Sequence, residues 1–234
     1  ASGMLRPIEL RCQYARDPLG VDVTRPRLFW KLASDVRGDR QTAYEILVAS
    51  SEDLLARGHA DLWSSGKVRS GETTCLPYAG KPLSSSQRVF WKVRVWDQLS
   101  VPSVWSATAM WTMGVLGEAD WRGAKWIGET VTNSATTLLR REFDVKPGLV
   151  RALAHVCGLG QYELTVNGAK VGDDVLSPGW TTYPKTCLYD TRDLTPYLRE
   201  GANAVGLELA NGMYAVPGGR YVKFKGSFGP RKAI

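Results

Sequence analysis

Apolar and polar side chains alternate from Gln161 to Val166, and the alternation stops at Asn167-Gly168 before Ala169 begins a return. Period-two alternation puts successive side chains on opposite faces of a strand, and Asn-Gly supplies the left-handed pair that a tight hairpin turn needs. A β-hairpin is predicted there. Ala43 to Ala49 repeats the pattern, with Tyr44, Ile46 and Val48 on one face. From Phe90 to Asp97, Trp91, Val93 and Val95 point one way, while Phe90, Lys92, Arg94 and Trp96 point the other. The first set is core. The second interleaves cations with aromatic rings, which fits either a stacked structural ladder or a surface for a sugar ring.

Further strands are predicted at Ile8 to Tyr14, Leu28 to Leu32, Thr108 to Met113, Leu138 to Val145, Val150 to Cys157, Thr186 to Asp190 and Ala204 to Leu209. Helical signals are sparse: a short helix capped by Ser51 and running to Arg57, and one turn opened by Thr195-Pro196. The chain is therefore all-β, and its 24 Gly and 12 Pro punctuate short runs rich in Val, Leu, Thr and aromatics. About seven strands fall within residues 4–114, which matches the fibronectin III or immunoglobulin-like plan of two packed sheets. Residues 115–128 change composition. Trp121, Trp126 and Ile127 make them a linker that packs rather than swings, so a fixed angle between domains is expected. A second β-sandwich domain occupies residues 129–234.

The net charge of +7 comes from 30 basic residues scattered among 23 acids, which argues against nucleic acid as a partner. The densest basic set, Arg220, Lys223, Lys225, Arg231 and Lys232, reads as a solvated face. Cys12, Cys75, Cys157 and Cys187 are too dispersed for a zinc site. Free buried thiols are expected, with a Cys157–Cys187 disulfide as the alternative. No apolar run has the length of a membrane span, and no secretory signal pattern precedes Met4, so a cytoplasmic location is expected. His155, in an apolar strand, reads as a satisfied core histidine, and neither it nor His59 accompanies a nucleophile or metal motif. Asp173-Asp174 fits turn capping or calcium ligation. Trp180 and Tyr183 follow Ser177-Pro178-Gly179, a loop that presents aromatics as sugar-gripping modules do.

Two longer phrases carry a resemblance. GLGQYELTVNGAKVGDDVLSPGWTTY (158–183), with LYDTRDLTPYLREGANAVGLELANGMY (188–214), resembles the non-catalytic jelly-roll domain near the N-terminus of bacterial α-L-rhamnosidases. YARDPLGVDVTRPRLFWKL, YEILVASS and FWKVRVWD resemble the fibronectin-type domain that opens the same enzymes. The resemblance implies the accessory part of a glycoside hydrolase that removes terminal α-L-rhamnose by inversion, its two catalytic carboxyls on a helical barrel beyond Ile234. No catalytic residue is assigned within the chain. A jelly roll has eight strands, and six or seven are counted here. The second domain is thus expected to be incomplete, with Arg231 to Ile234 entering an unfinished, unpaired strand. Some jelly rolls of this family hold rhamnose through calcium, an Asp-Asn pair and aromatics, and Gly160-Gln161 stands where that pair is expected. The implied sugar contacts are Gln161, Tyr162, Trp180, Tyr183, Asn211 and Tyr214. The implied calcium donors are Asp173, Asp174, Asn211 and the Pro217 carbonyl, and no cofactor is required. The implied partners are a rhamnose-containing glycoside and the other domains of the polypeptide. A free-standing carbohydrate-binding or adhesion protein is the alternative.

Overall fold

The computed structural model describes residues 4–129, 136–216 and 227–234. The chain divides into two units, residues 1–120 and 121–234. Unit 1 contains β1 (Arg6–Cys12), β2 (Leu19–Val21), β3 (Arg27–Ala33), β4 (Ala43–Ala49), α1 (Glu52–Ala56), β5 (Trp63–Ser64), β6 (Leu76–Pro77), β7 (Arg88–Trp96) and β8 (Ala109–Met113). They form two sheets, ordered β1-β3-β6 and β2-β8-β7-β4-β5. Alternation along β7 works as predicted: Trp91, Val93 and Val95 are fully buried, together with Ile46 and Val48 of β4, Leu28 of β3 and Trp111 of β8. A chain of edge-on aromatics, Trp63 to Tyr78 to Trp111 to Trp91, crosses this core with ring centroids 5.5, 5.7 and 6.5 Å apart. Buried Trp30 donates its indole N–H to Gln41 at 2.9 Å, and Gln41 in turn donates to the carbonyls of Ser70 and Glu72.

The outer face of β7 is a structural ladder. The Arg94 guanidinium lies 5.1 Å from the Trp96 ring and 4.7 Å from the Trp105 ring, and donates to Glu45 at 2.6 Å. Lys92 donates to the Leu55 carbonyl at 2.7 Å, at the C-terminal end of α1, and sits 5.1 Å from the Trp105 ring. Burial holds its pKa below the ordinary lysine value. With both cations and both rings occupied, this face is filled from within the unit. Ser51 caps α1 as expected, accepting from the Leu54 amide.

Unit 2 contains β9 (Ile127–Gly128), β10 (Thr137–Val145), β11 (Leu153–Val156), β12 (Gly158–Leu159), β13 (Gln161–Val166), β14 (Ala169–Lys170), β15 (Asp190–Asp193), β16 (Gly201–Ala210) and β17 (Lys232–Ala233). The main sheet runs β10-β16-β13-β14, with smaller sheets β11-β15 and β12-β17-β9. The Asn167-Gly168 turn joins β13 to β14 with both residues at positive φ. Tyr162, Leu164 and Val166 pack with Leu209 on the inner face.

Two local expectations are corrected, while Asp173 and Asp174 lie in the loop that follows β14. The strand placed at Thr186 to Asp190 begins only at Asp190, because the amides of Lys185 and Thr186 both bond back to the Thr182 carbonyl and coil the chain. Lys232–Ala233 is no unpaired edge: it pairs with β12 on one side and β9 on the other. Among the described residues, no helix is long and apolar enough to cross a membrane.

Gly80 is closely packed within unit 1. A Cβ there would lie 2.4 Å from the Trp63 Cβ and 2.5 Å from both the Leu62 carbonyl and the Tyr78 hydroxyl. Gly80→Ala is expected to destabilise unit 1 by about 2 kcal/mol through overpacking, measured as a lowered urea midpoint; an unchanged midpoint would contradict the packing described.

Candidate functional site

Unit 2 holds every sugar-site residue singled out in the sequence, and places them in two groups. Gln161 opens β13 opposite Ala210 of β16. It lines a shallow cavity of about 250 Å³ with Tyr162, Lys170, Asp174, Leu176 and Glu208. Gln161 also touches the turn after Asn211, since a Cβ on Gly212 would stand 2.8 Å from its Cγ. The second group is aromatic. Tyr183 meets Tyr214 edge-on at 5.1 Å and Phe228 at 5.2 Å, over the buried Cys157, Leu159 and Ala215. Trp180 stands 58% exposed on the loop that leads into Tyr183, and Leu188, which the preceding Gly179 approaches, is 44% exposed.

Two guanidinium groups fix this framework. Arg192 of β15 pairs with Asp174, lies 3.5 Å from Asp190 and donates to Ser177 at 3.4 Å. Tyr162 donates its hydroxyl to Asp190 at 2.6 Å, and its amide to the Ser177 carbonyl at 2.9 Å. The loop of residues 174–177 is thereby tied to β13 and β15. Burial, then the Asp190 carboxylate, pushes the Tyr162 phenol well above the ordinary tyrosine value. Arg231, 2% exposed, donates to Thr137 at 2.8 Å and to Asn211 at 2.7 Å, and meets Glu129 at 3.2 Å. The expectation that Arg231 belongs to a solvated basic face is overturned: three acceptors draw it inside. Lys232 lies over the Trp126 ring at 5.1 Å, and Arg220, Lys223 and Lys225 lie outside the described residues.

The calcium donors implied by the resemblance do not fit a cation. Asp174 and Asn211 already accept from Arg192 and Arg231, Asp173 is not among the residues lining the cavity, and Pro217 lies outside the described residues. Among the described residues no three His, Cys, Asp or Glu side chains converge as metal ligands. Tyr162 and Tyr214 are both buried at 8% exposure, so their rings serve the fold before any ligand. His155 is half-buried, its Nδ1 2.8 Å from the Thr191 hydroxyl, and burial lowers its pKa. All four cysteines are free thiols. Cys12 and Cys157 are buried as expected, whereas Cys75 and Cys187 are exposed.

Phe228, Asp190 and Arg192 were not singled out in the sequence. Phe228 sits in a Gly-rich stretch without periodicity, and the ion pairs of Asp190 and Arg192 reach the loop at Asp174, which no local pattern signals.

The architecture is that of two β-domains, the second carrying a cluster of aromatic side chains among its loops. Residues 7–117 match the family described as the Rha78A-like N-terminal immunoglobulin domain, and residues 148–233 match the alpha-L-rhamnosidase N-terminal domain. The chain belongs to the α-L-rhamnosidase family, to its N-terminal domains. An α-L-rhamnosidase from Formosa agariphila is 37% identical over 223 residues, which cover 85% of this chain and 23% of that protein. The solved α-L-rhamnosidase from Dictyoglumus thermophilum aligns with a TM-score of 0.84 at 35% identity, over 98% of this chain and 27% of that one. The Streptomyces avermitilis α-L-rhamnosidase complexed with L-rhamnose aligns with a TM-score of 0.51 at 30% identity, over 99% of this chain and 23% of that one. The chain thus spans about a quarter of the length of these relatives.

Arg231→Met is expected to cost unit 2 about 3 kcal/mol, because Thr137, Asn211 and Glu129 all lose their donor. A denaturation midpoint within error of the parent would contradict that role. Tyr162 gives a pH signature with a defined sign. Both folded and unfolded phenols are protonated below the ordinary value of 10.0. Above it the unfolded chain ionises first, so stability falls as pH rises past 10. Tyr162→Phe should flatten that decline when urea midpoints are compared between about pH 8 and pH 11, and equal slopes would contradict it.

Proposed function

We propose that this chain is the non-catalytic N-terminal region of an α-L-rhamnosidase that removes terminal α-L-rhamnose from glycosides. The observation that carries the reading is the match of both units, in order, to the two N-terminal domains of that family. Inversion at a glycosidic carbon needs one carboxyl to protonate the leaving oxygen and another, about 6.5 to 9.5 Å away, to activate water. Several acids of this chain are held in ion pairs. Glu9 pairs with Lys31, Glu45 with Arg94, Glu163 with Lys170, Asp174 with Arg192 and Glu129 with Arg231. Carboxylates paired with cations in this way act as braces between strands and loops. The catalytic pair then belongs to other domains of the polypeptide.

Unit 2 contributes a sugar contact. Trp180 is the stacking platform, Tyr183 backs it from the loop, and Gln161 supplies hydrogen-bonding groups at the cavity beside Tyr162. Asn211 and Tyr214 hold the turn and the aromatic cluster in place. The sugar named in the Streptomyces avermitilis complex, L-rhamnose, is the ligand to test. Since Asp174 and Asn211 are engaged by guanidinium groups, binding is expected without calcium.

Titration with L-rhamnose, followed by tryptophan fluorescence, is expected to give a saturable change at millimolar sugar. The change should be unaffected by a calcium chelator and lost in Trp180→Ala. The isolated chain is expected to leave an aryl α-L-rhamnoside uncleaved. Hydrolysis abolished by a single carboxylate-to-amide substitution would overturn the non-catalytic assignment, and a flat titration would leave unit 2 as a brace alone.

A further inference from the structure

A cavity of about 480 Å³ opens in unit 1 between residues 6–10 of β1 and residues 104–109, the stretch that leads into β8. β1 is the outer strand of its sheet, and β2 covers β8 only at Thr112 and Met113. Among the described residues, no strand pairs with either wall on the side of the cavity. The two walls differ. In β1, Pro7 brings no N–H, and an irregularity between Ile8 and Arg11, with Glu9 at a φ of 48°, breaks the repeat. Both features blunt an edge strand. The opposite wall is hung on β7 by two serines. The amides of Ser103 and Ser106 donate to the Val95 and Val93 carbonyls at 2.7 and 2.9 Å, and their hydroxyls accept from the Val95 and Val93 amides at 3.0 and 3.1 Å. The amides of Val104, Trp105 and Ala107 find no acceptor among the described residues, and Val104 is 69% exposed. That wall is an unpaired backbone edge, open to another strand.

Charge selects the occupant. Of the ionised side chains that line the cavity, the two acids are engaged: Glu9 meets Lys31 at 2.7 Å, and Asp17 accepts from the Met110 amide at 2.9 Å. Arg6 and Arg16 are exposed and have no carboxylate within ion-pair distance, Arg16 feeling Glu9 only from farther away. We infer that the groove takes an extended acidic peptide of a partner protein, which adds as a strand along residues 104–107 while its carboxylates meet Arg6 and Arg16. Main-chain hydrogen bonds attach the peptide, and the two guanidinium groups select acidic segments over basic ones. At a rise of about 3.3 Å per residue, the wall formed by residues 104–109 matches an occupant of about six residues.

The test titrates the whole chain with a synthetic peptide of about six residues, threonine-rich with glutamates at both ends, and follows residue-resolved amide shifts. Saturable shifts confined to residues 6–10, 16–17 and 103–109 are expected. Reversing both charges, Arg6→Glu with Arg16→Glu, should weaken binding by about tenfold or more at low salt and leave the thermal midpoint unchanged, since both side chains are exposed. The same peptide methylated on its backbone nitrogens should lose binding, because a strand added to an edge needs its N–H groups. Absence of shifts at saturating peptide would overturn the proposal. So would equal affinity of a peptide with lysines in place of the glutamates, of the methylated peptide, or of the charge-reversed protein. Shifts produced by a uronic-acid oligosaccharide and not by the peptide would show that the groove reads anionic sugar instead. None of these outcomes depends on rhamnose, so the groove and the sugar contact of unit 2 fail or stand separately.

Discussion

Unit 2 is organised around a guanidinium that has left water. Taking the Arg231 side chain to 2% exposure is unfavourable unless its donors are met, and Thr137, Asn211 and Glu129 meet them. Those acceptors lie beside β9, at the start of β10 and just after β16, while Arg231 itself leads into β17. One side chain thus ties the last strand of the chain to the first strands of its unit. It also sets the turn at Asn211-Gly212 against Gln161, and through that turn the cavity beside Tyr162. Arg192 of β15 repeats the device, shared by Asp174 and Asp190.

Unit 1 rests on apolar packing instead. Its core is a chain of indoles and a phenol meeting edge to face, and its outer sheet face is closed by Arg94 and Lys92 against Trp96 and Trp105. Aromatic rings used in this way are consumed by structure. Among the described residues in the loops of unit 2, Trp180 keeps the most ring area in solvent, at 58% exposure. In unit 2 the charge pairs lie in the framework, and Trp180 stands out in a loop.

Much of the fold was legible in the sequence wherever a local rule decided the outcome. The β7 alternation, the Asn167-Gly168 turn and the Ser51 cap depend on neighbours within a few residues, and all three formed as read. The failures share a cause. Arg231 was read as solvated because its acceptors lie 20 to 102 residues away in the chain. The strand expected from Thr186 was displaced by a turn closed on Thr182, and the strand at Lys232–Ala233 gained partners that no alternation could reveal. The site was legible in composition and obscure in geometry: Trp180 and Tyr183 were recognisable as loop aromatics, whereas Phe228 and the Arg192 network emerge only once the chain is folded.

The most direct test of the central claim, that an aromatic loop on a braced β-module forms the sugar contact while unit 1 serves as support, is residue-resolved amide shift mapping with L-rhamnose. The account predicts shifts confined to Gln161, Tyr162, Trp180, Tyr183, Asn211, Tyr214 and their immediate neighbours, with unit 1 silent. Shifts centred on the Trp96–Trp105 ladder of unit 1, or no shifts at saturating sugar, would contradict it.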